Sequence, residues 1–185
     1  MKTVLQGAAL ALFVACALTL SCAKKKQADQ ASPSARHQAA ARTAGGLEGR
    51  PAQGFALKAL DGRPVSLADL KGKTVLIDFW ATWCPPCRRA MPHIQKIHED
   101  YQDQGLVVLA ISSEPPEKPR AFLEENGYTF TTLSDPGGKT GRAYGVRGIP
   151  TTLIVDIDGI VSTHTVGYKS EEELRAALAK VGLTK

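Results

Sequence analysis

From residue 50 onward, the chain alternates apolar runs, turn residues and segments of helical character. Two apolar, β-rich runs bounded by turn residues predict buried strands: 74–80 and 106–111. Three further segments are predicted as helices or helical turns: 85–101, 119–126 and, more weakly, 139–144. Ser170 and Glu173 match a capping box ahead of an apolar stripe, which predicts a final helix.

Two predicted hairpins complete the pattern. Segments 55–57 and 65–67 flank the turn 61–64, and segments 151–155 and 160–164 flank the turn 156–159. The resulting order is β-β-β-α-β-α-(α)-β-β-α, which implies parallel crossovers followed by an antiparallel edge hairpin. This predicts an α/β domain with a central mixed sheet flanked by helices and an N-terminal β-hairpin extension.

Residues 1–22 have the pattern of a secretory leader. Lys2 supplies the positive charge, and an uncharged, mostly apolar run follows from Val4 to Leu20. The residues before Cys22 resemble a lipobox, which predicts that Cys22 is lipidated. The alternatives are cleavage after Ala23 and retention of the apolar run as an anchor, although this run falls short of the ~20 residues that span a bilayer. All three predict a domain outside the cytoplasm.

Residues 23–49 lack apolar periodicity and are rich in Ala, Gln, Ser, Lys and Gly, which predicts a flexible basic linker before a domain at 50–185. The lysines beside Cys22 either face anionic headgroups or are simply solvated. From Pro51 onward the chain has 16 Lys+Arg and 16 Asp+Glu, so the net charge of +5 belongs to residues 1–50. A neutral domain argues against nucleic-acid binding, which needs a basic face.

A Cys-x-x-Cys pair, Cys84 and Cys87, stands where the strand 74–80 passes into a helix. A Cys that opens a helix meets unpaired N–H groups and the positive end of the helix dipole, which both favour the thiolate. Pro85 and Pro86 lack N–H groups and suit a first helical turn. We expect Cys84 to be the exposed nucleophile and Cys87 the shielded thiol that resolves a mixed disulfide on Cys84.

Three kinds of site fit such a pair: a redox-active dithiol, half of a zinc site and a structural disulfide. Zinc takes four ligands, but the domain has no other Cys, and its histidines (His93, His98 and His164) are scattered. A disulfide that closes so short a loop constrains the unfolded chain little. The residues therefore favour the redox pair, and we expect neither a metal nor a cofactor.

The run from Val75 to Cys87, with Pro92 and the segment 148–151 downstream, resembles thioredoxin-fold proteins. The similarity is strongest to the membrane-tethered TlpA/ResA-like thiol–disulfide oxidoreductases and covers roughly residues 50–182. It implies a thioredoxin fold with a cis peptide between Ile149 and Pro150, although the residues alone would also allow an ordinary turn proline. It also implies a shallow substrate groove, formed by Trp83, Pro85, Pro86, Ile149 and Pro150.

Two positions bear on the proton chemistry. ResA-like proteins often carry Glu three residues after the second Cys, where this chain has Ala90, so a role assigned to that Glu is absent. Asp78 stands six residues before Cys84, where thioredoxins have a buried acid. Burial would raise its pKa and let it accept the proton of Cys87, so we expect Asp78 to be catalytic. The alternative is a surface-facing strand residue.

Together these features predict a membrane-anchored enzyme on the periplasmic side of a bacterial envelope. By family analogy it reduces protein disulfides, for example those of apocytochrome c, and a membrane protein supplies its electrons. A dithiol oxidase or isomerase is the alternative within the class. Outside the class, the alternative is a non-catalytic binding or metal-carrier module, although copper carriers of this fold use Cys-x-x-x-Cys. A peroxidase would need Thr or Ser where Ala81 stands.

Overall fold

The computed structural model describes residues 46–185, so the leader, Cys22 and the linker as far as residue 45 lie outside the described part. Seven strands form one sheet. They are β1 (Ala56–Ala59), β2 (Pro64–Ser66), β3 (Thr74–Phe79), β4 (Leu106–Ser112), β5 (Thr131–Ser134), β6 (Thr151–Val155) and β7 (Val161–Val166).

The α-helices among residues 46–185 follow the predicted pattern. They are α1 (Pro85–Tyr101), α2 (Glu117–Asn126), α3 (Lys139–Ala143) and α4 (Glu171–Ala179). The predicted capping box opens α4, because the Ser170 hydroxyl accepts from Glu173 N at 3.2 Å and the Glu173 carboxylate accepts from Ser170 N at 2.9 Å. Within the described residues, none of these helices combines the length and apolarity that a membrane crossing needs.

The sheet order is β2-β1-β5-β4-β3-β6-β7. Strand β3 pairs in parallel with β4, which pairs in parallel with β5, while β6 and β7 form an antiparallel edge hairpin on the other side of β3. The N-terminal hairpin of β1 and β2 lies at the opposite edge, where β1 joins β5. The prediction of a mixed sheet with an N-terminal hairpin is therefore confirmed.

Among the strands of residues 46–185, β5 is the one that the sequence pattern does not predict. It consists of Thr131 to Ser134 and has a single aliphatic side chain, Leu133, which is fully buried. Its place in the sheet comes from pairing with β4 on one side and β1 on the other. Without β5, the N-terminal hairpin would have no strand to join.

The central strand β3 sorts its side chains between two cores. Val75, Ile77 and Phe79 face the layer that holds α3 and the N-terminal hairpin. Leu76 faces the layer that holds α1, α2 and α4. Since side chains alternate along a strand, Asp78 shares the face of Leu76 and points towards α1. Strand β3 thus places one carboxyl group behind the helix that carries the two cysteines.

Candidate active site

The turn between β3 and α1 carries the cysteine pair. Cys84 precedes the first helical residue in an extended conformation, with φ −90° and ψ 105°, and its Sγ accepts a hydrogen bond from Cys87 N at 3.2 Å. Pro85 and Pro86 occupy the first turn, where helical N–H groups have no partner within the helix. The local sequence therefore fixes where the helix begins and places Cys84 Sγ at its N-terminal end.

Cys84 and Cys87 form a disulfide, and their Cα atoms are 5.2 Å apart. The prediction that Cys84 is exposed is wrong for this state: Cys84 is 3% exposed and Cys87 is fully buried. The sulfur of Cys84 is bonded to that of Cys87 and lies 3.7 Å from the carbonyl oxygen of Ile149. The exposed 3% of Cys84 is the opening through which another sulfur can reach the disulfide.

The loop before β6 forms the other side of this opening. The peptide between Ile149 and Pro150 is cis, as the resemblance implies. Two hydrogen bonds hold the loop: Thr151 Oγ1 donates to the Gly148 carbonyl at 2.6 Å, and Gly167 N donates to the Pro150 carbonyl at 2.8 Å. The Ile149 carbonyl is thereby fixed towards Cys84.

The residues expected to bind substrate differ in their exposure. Trp83 is 69% exposed and Pro85 is also exposed, whereas Pro86 and Ile149 are half-buried and Pro150 is buried. A cavity of about 170 Å³ lies beside Trp83 and Ile149. A client segment would therefore meet Trp83 and the backbone of the loop, but not the side chain of Pro150.

Asp78 is fully buried, so the surface-facing alternative is wrong. Its Oδ1 accepts a hydrogen bond from Thr152 Oγ1 at 2.8 Å, while Oδ2 has no hydrogen-bond partner among the described residues. Burial raises the pKa of Asp78 to about 7, and the hydrogen bond from Thr152 offsets only part of that increase. Asp78 therefore exchanges protons near neutral pH.

Glu114, two residues beyond β4, holds the turn before Cys84. Its carboxylate accepts from Thr82 N at 2.6 Å and from Thr82 Oγ1 at 2.8 Å. Glu114 N donates to Ser112 Oγ at 3.2 Å. Because Thr82 stands two residues before Cys84, these bonds fix the backbone that leads to the reactive sulfur. Glu114 thus acts on the site through Thr82.

Glu114 is not among the residues predicted from the sequence, although a signal for it exists. Strands β3 and β4 are parallel neighbours, so their carboxyl ends meet at the same edge of the sheet. A carboxylate just beyond β4 is therefore brought near the residues that follow β3. Position 90, where ResA-like proteins often have Glu, is a buried Ala of α1. Asp78 and Glu114 are the buried acids that contact β6 and the turn before Cys84.

No three His, Cys, Asp or Glu side chains in residues 46–185 are grouped so that they could hold a metal ion. His93 lies on the surface of α1, where its Nε2 is 3.0 Å from the hydroxyl of Tyr168.

Known proteins resemble this chain across the site. The AhpC/TSA family model matches residues 49–164. The thiol-disulfide oxidoreductase ResA of Halalkalibacterium halodurans is 39% identical over 125 residues, which is 66% of this chain and 71% of that protein. The residues that the family model matches include both cysteines and the loop of Ile149 and Pro150.

Two solved structures extend the likeness to three dimensions. A candidate thiol:disulfide interchange protein, DsbE, from Chlorobium tepidum is 34% identical with a TM-score of 0.67, over 71% of this chain and 94% of that one. The exposed lipoprotein thioredoxin Etrx1 of Streptococcus pneumoniae is 29% identical with a TM-score of 0.63, over 69% of this chain and 99% of that one.

The buried carboxyl of Asp78 predicts a specific dependence of stability on pH. The folded protein binds this proton more tightly than the unfolded chain, whose Asp has a pKa of 3.8. The contribution of Asp78 to the free energy of unfolding is therefore full below pH 3.8 and is lost as the pH rises through about 7. Asp78→Asn should raise the free energy of unfolding at pH 8 by up to about 4 kcal/mol and change it little at pH 4.

Urea unfolding of the disulfide form at pH 4, 6 and 8 measures this difference. Asp103→Asn, at an exposed position after α1, is the matched control and should leave the pH profile unchanged. Parallel profiles for wild type and Asp78→Asn would show that Asp78 does not carry a raised pKa.

The contacts of Glu114 predict a second effect. Glu114→Ala leaves the backbone N–H of Thr82 without its partner, so the free energy of unfolding should fall by about 1–3 kcal/mol. The reduced protein should also react more slowly with a disulfide, because the turn before Cys84 is no longer held. Glu117→Ala, an exposed acid at the start of α2, should change neither property. Wild-type rates in Glu114→Ala would rule out a positioning role.

Proposed function

The chain belongs to the AhpC/TSA family and is a thioredoxin-fold thiol–disulfide oxidoreductase of the ResA type, and from this premise we propose that it reduces the disulfides of client proteins outside the cytoplasm. The observation that carries the proposal is the Cys84–Cys87 disulfide at the start of α1. The carbonyl oxygen of Ile149 lies 3.7 Å from Cys84 Sγ, and Asp78 is buried in strand β3.

In the reduced protein, Cys84 attacks the client disulfide as a thiolate. The N-terminal end of α1 favours this thiolate, and Cys87 N donates a hydrogen bond to the sulfur. One client sulfur leaves and takes up a proton, while the other remains bonded to Cys84. The exposed Trp83 and the fixed loop of Ile149 hold the client during this step.

Cys87 then completes the reaction. It loses its proton, attacks Cys84 Sγ and releases the second client sulfur, so two electrons pass to the client and the Cys84–Cys87 disulfide forms. We assign Asp78 as the acceptor of the Cys87 proton. Two observations support this role: Asp78 faces α1 from the buried strand β3, and its pKa of about 7 suits a base that works near neutral pH.

The resemblance supports the proposed direction of electron flow. Outside the cytoplasm, dithiols tend to oxidise, so a reductant needs a supply of electrons. A membrane protein supplies them and returns the Cys84–Cys87 disulfide to the dithiol. The clients are envelope proteins with accessible disulfides, and the haem-binding cysteines of apocytochrome c are the example that the family suggests.

The N-terminal sequence supports the location. The leader of residues 1–22 directs the chain out of the cytoplasm, Cys22 is lipidated, and residues 23–49 tether the domain to the membrane. A similar structure, Etrx1, is described as an exposed lipoprotein, which fits this arrangement. The enzyme therefore works at the outer surface of a membrane, close to its electron donor.

A single-turnover assay with the full-length reduced protein and insulin tests the reaction and its roles. Cys84→Ser should abolish insulin reduction, and Cys87→Ser should stop at a mixed disulfide between Cys84 and insulin. Asp78→Asn should reach the mixed disulfide but resolve it slowly, without the increase in rate that the wild type shows as Asp78 loses its proton near pH 7.

The control is Cys22→Ser, which should keep full activity in this assay because Cys22 lies in the leader and outside the domain. Insulin reduction by Cys84→Ser would contradict the assignment of the nucleophile. A wild-type pH profile for Asp78→Asn would remove Asp78 from the mechanism and leave the cysteine chemistry in place.

A further inference from the structure

Four arginines lie at the end of the sheet that carries the cysteine pair, and none has a carboxylate partner among residues 46–185. They are Arg88, Arg89, Arg142 and Arg147, all of them exposed. The ion pairs described in this region of the chain involve other cations. Because the chain from Pro51 onward is neutral overall, this local excess of positive charge comes from the arrangement of residues and not from composition.

The two arginines of α1 lie against different neighbouring elements. The guanidinium of Arg88 lies 5.6 Å from the ring centre of Phe122 on α2. The guanidinium of Arg89 lies 5.7 Å from the ring centre of Tyr168, in the loop before α4. An aromatic face holds a guanidinium in place while the N–H groups at its edge stay free to bind a carboxylate. Both side chains are therefore oriented before a partner arrives.

The other two arginines approach from the far side of the sheet. Arg142 of α3 lines the cavity beside Trp83, and its guanidinium donates to the Gly137 carbonyl. Arg147 stands two residues before Ile149, whose carbonyl faces Cys84. Cys84 thus lies between α1, which carries one pair of arginines, and the segment from α3 to the cis peptide, which carries the other.

The acids nearest to this end of the sheet are engaged within the protein. Asp78 and Glu114 are buried against Thr152 and Thr82. Asp135 is also buried and accepts hydrogen bonds from the backbone N–H groups at the start of α3, at 3.0 and 3.1 Å. The first turn of α4, after Tyr168, also carries acids, of which Glu171 and Glu173 pair with other cations. Glu117, at the start of α2, and Glu172 are the exposed acids on this side for which no partner is described.

The same end of the sheet carries an apolar surface. Trp83 is 69% exposed, Val166 is 63% exposed and Tyr168 is 38% exposed. Val166 pairs with Thr151 at the start of β6, next to the cis peptide, so it lies close to the opening. Trp83 follows β3 at that same end. An apolar centre with a basic rim is the complement of an apolar segment with acidic flanks.

We propose that this surface selects client segments that carry Asp or Glu on both sides of the reactive cysteine and an apolar residue next to it. The proposal rests on the reductase function and adds the chemistry of the client. A protein segment fits better than an anionic membrane, because the arginines lie at the same end of the sheet as the disulfide. A membrane on this face would cover Cys84 and keep client sulfur away.

Three synthetic peptides test the proposal with the full-length reduced protein. They share one intramolecular disulfide, one apolar neighbour and one length, and differ only in Glu, Gln or Lys at the flanking positions. The second-order rate constant of single-turnover reduction should rank Glu over Gln over Lys, with a Glu-to-Lys ratio of roughly tenfold or more at low salt. At about 0.5 M salt, screening should reduce the ratio to near one.

Matched variants assign the preference to the surface. Arg89→Gln with Arg147→Gln should lower the Glu-to-Lys ratio several-fold, and Arg89→Lys with Arg147→Lys should retain most of it because the charges remain. Arg50→Gln with Arg63→Gln removes the same charge at positions distant from the cysteines and should leave the ratio unchanged. The ratio is measured within one variant. A general loss of activity would lower the rates for all three peptides and leave the Glu-to-Lys ratio unchanged.

Two results would overturn the inference. Equal rates for the three peptides at low salt would show that the enzyme reduces disulfides without this selectivity, and would leave the reductase function intact. Binding to phosphatidylglycerol vesicles that needs Arg89 and Arg147, without any preference among the peptides, would assign the surface to the membrane. Failure to reduce any of the peptides or insulin would instead overturn the proposed function and the inference together.

Discussion

Strand β3 lies inside the sheet between β4 and β6, is buried at all six residues, and ends five residues before Cys84. The segments next to its neighbours β4 and β6 contact the turn that follows β3. Glu114, just beyond β4, holds Thr82, and the loop before β6 presents the Ile149 carbonyl to the disulfide. The position of one buried strand therefore fixes the nucleophile, the group that holds its turn and the docking edge together.

The same strand carries the buried carboxyl, and this placement has a cost. With an uncharged side chain at position 78, the folded protein would be more stable above neutral pH, because burial disfavours the carboxylate. A proton acceptor of raised pKa works near neutral pH only because of that burial, so stability and reactivity oppose each other at this residue. The four arginines near the cysteine pair differ in this respect. Because they are exposed, they lower the free energy of unfolding little in the absence of a client.

Local patterns predicted most of this architecture. The apolar run of β3, the proline-rich start of α1 and the capping box of α4 are signals within a few residues, and the structure has each of them. Features that depend on distant partners were missed. Strand β5 exists through its pairing with β4 and β1, and Glu114 matters because two parallel strands end together. The burial of Cys84 depends on a loop 65 residues away.

The reduction potential of the Cys84–Cys87 pair tests the central claim, that this site supplies electrons to clients. It can be measured in the full-length protein by equilibration in defined thiol–disulfide buffers, followed by alkylation and mass analysis of the peptide with both cysteines. A reductase should have a potential of about −250 mV or lower, in the range of thioredoxin. A potential of about −150 mV or higher would make the pair an oxidant and would contradict the account.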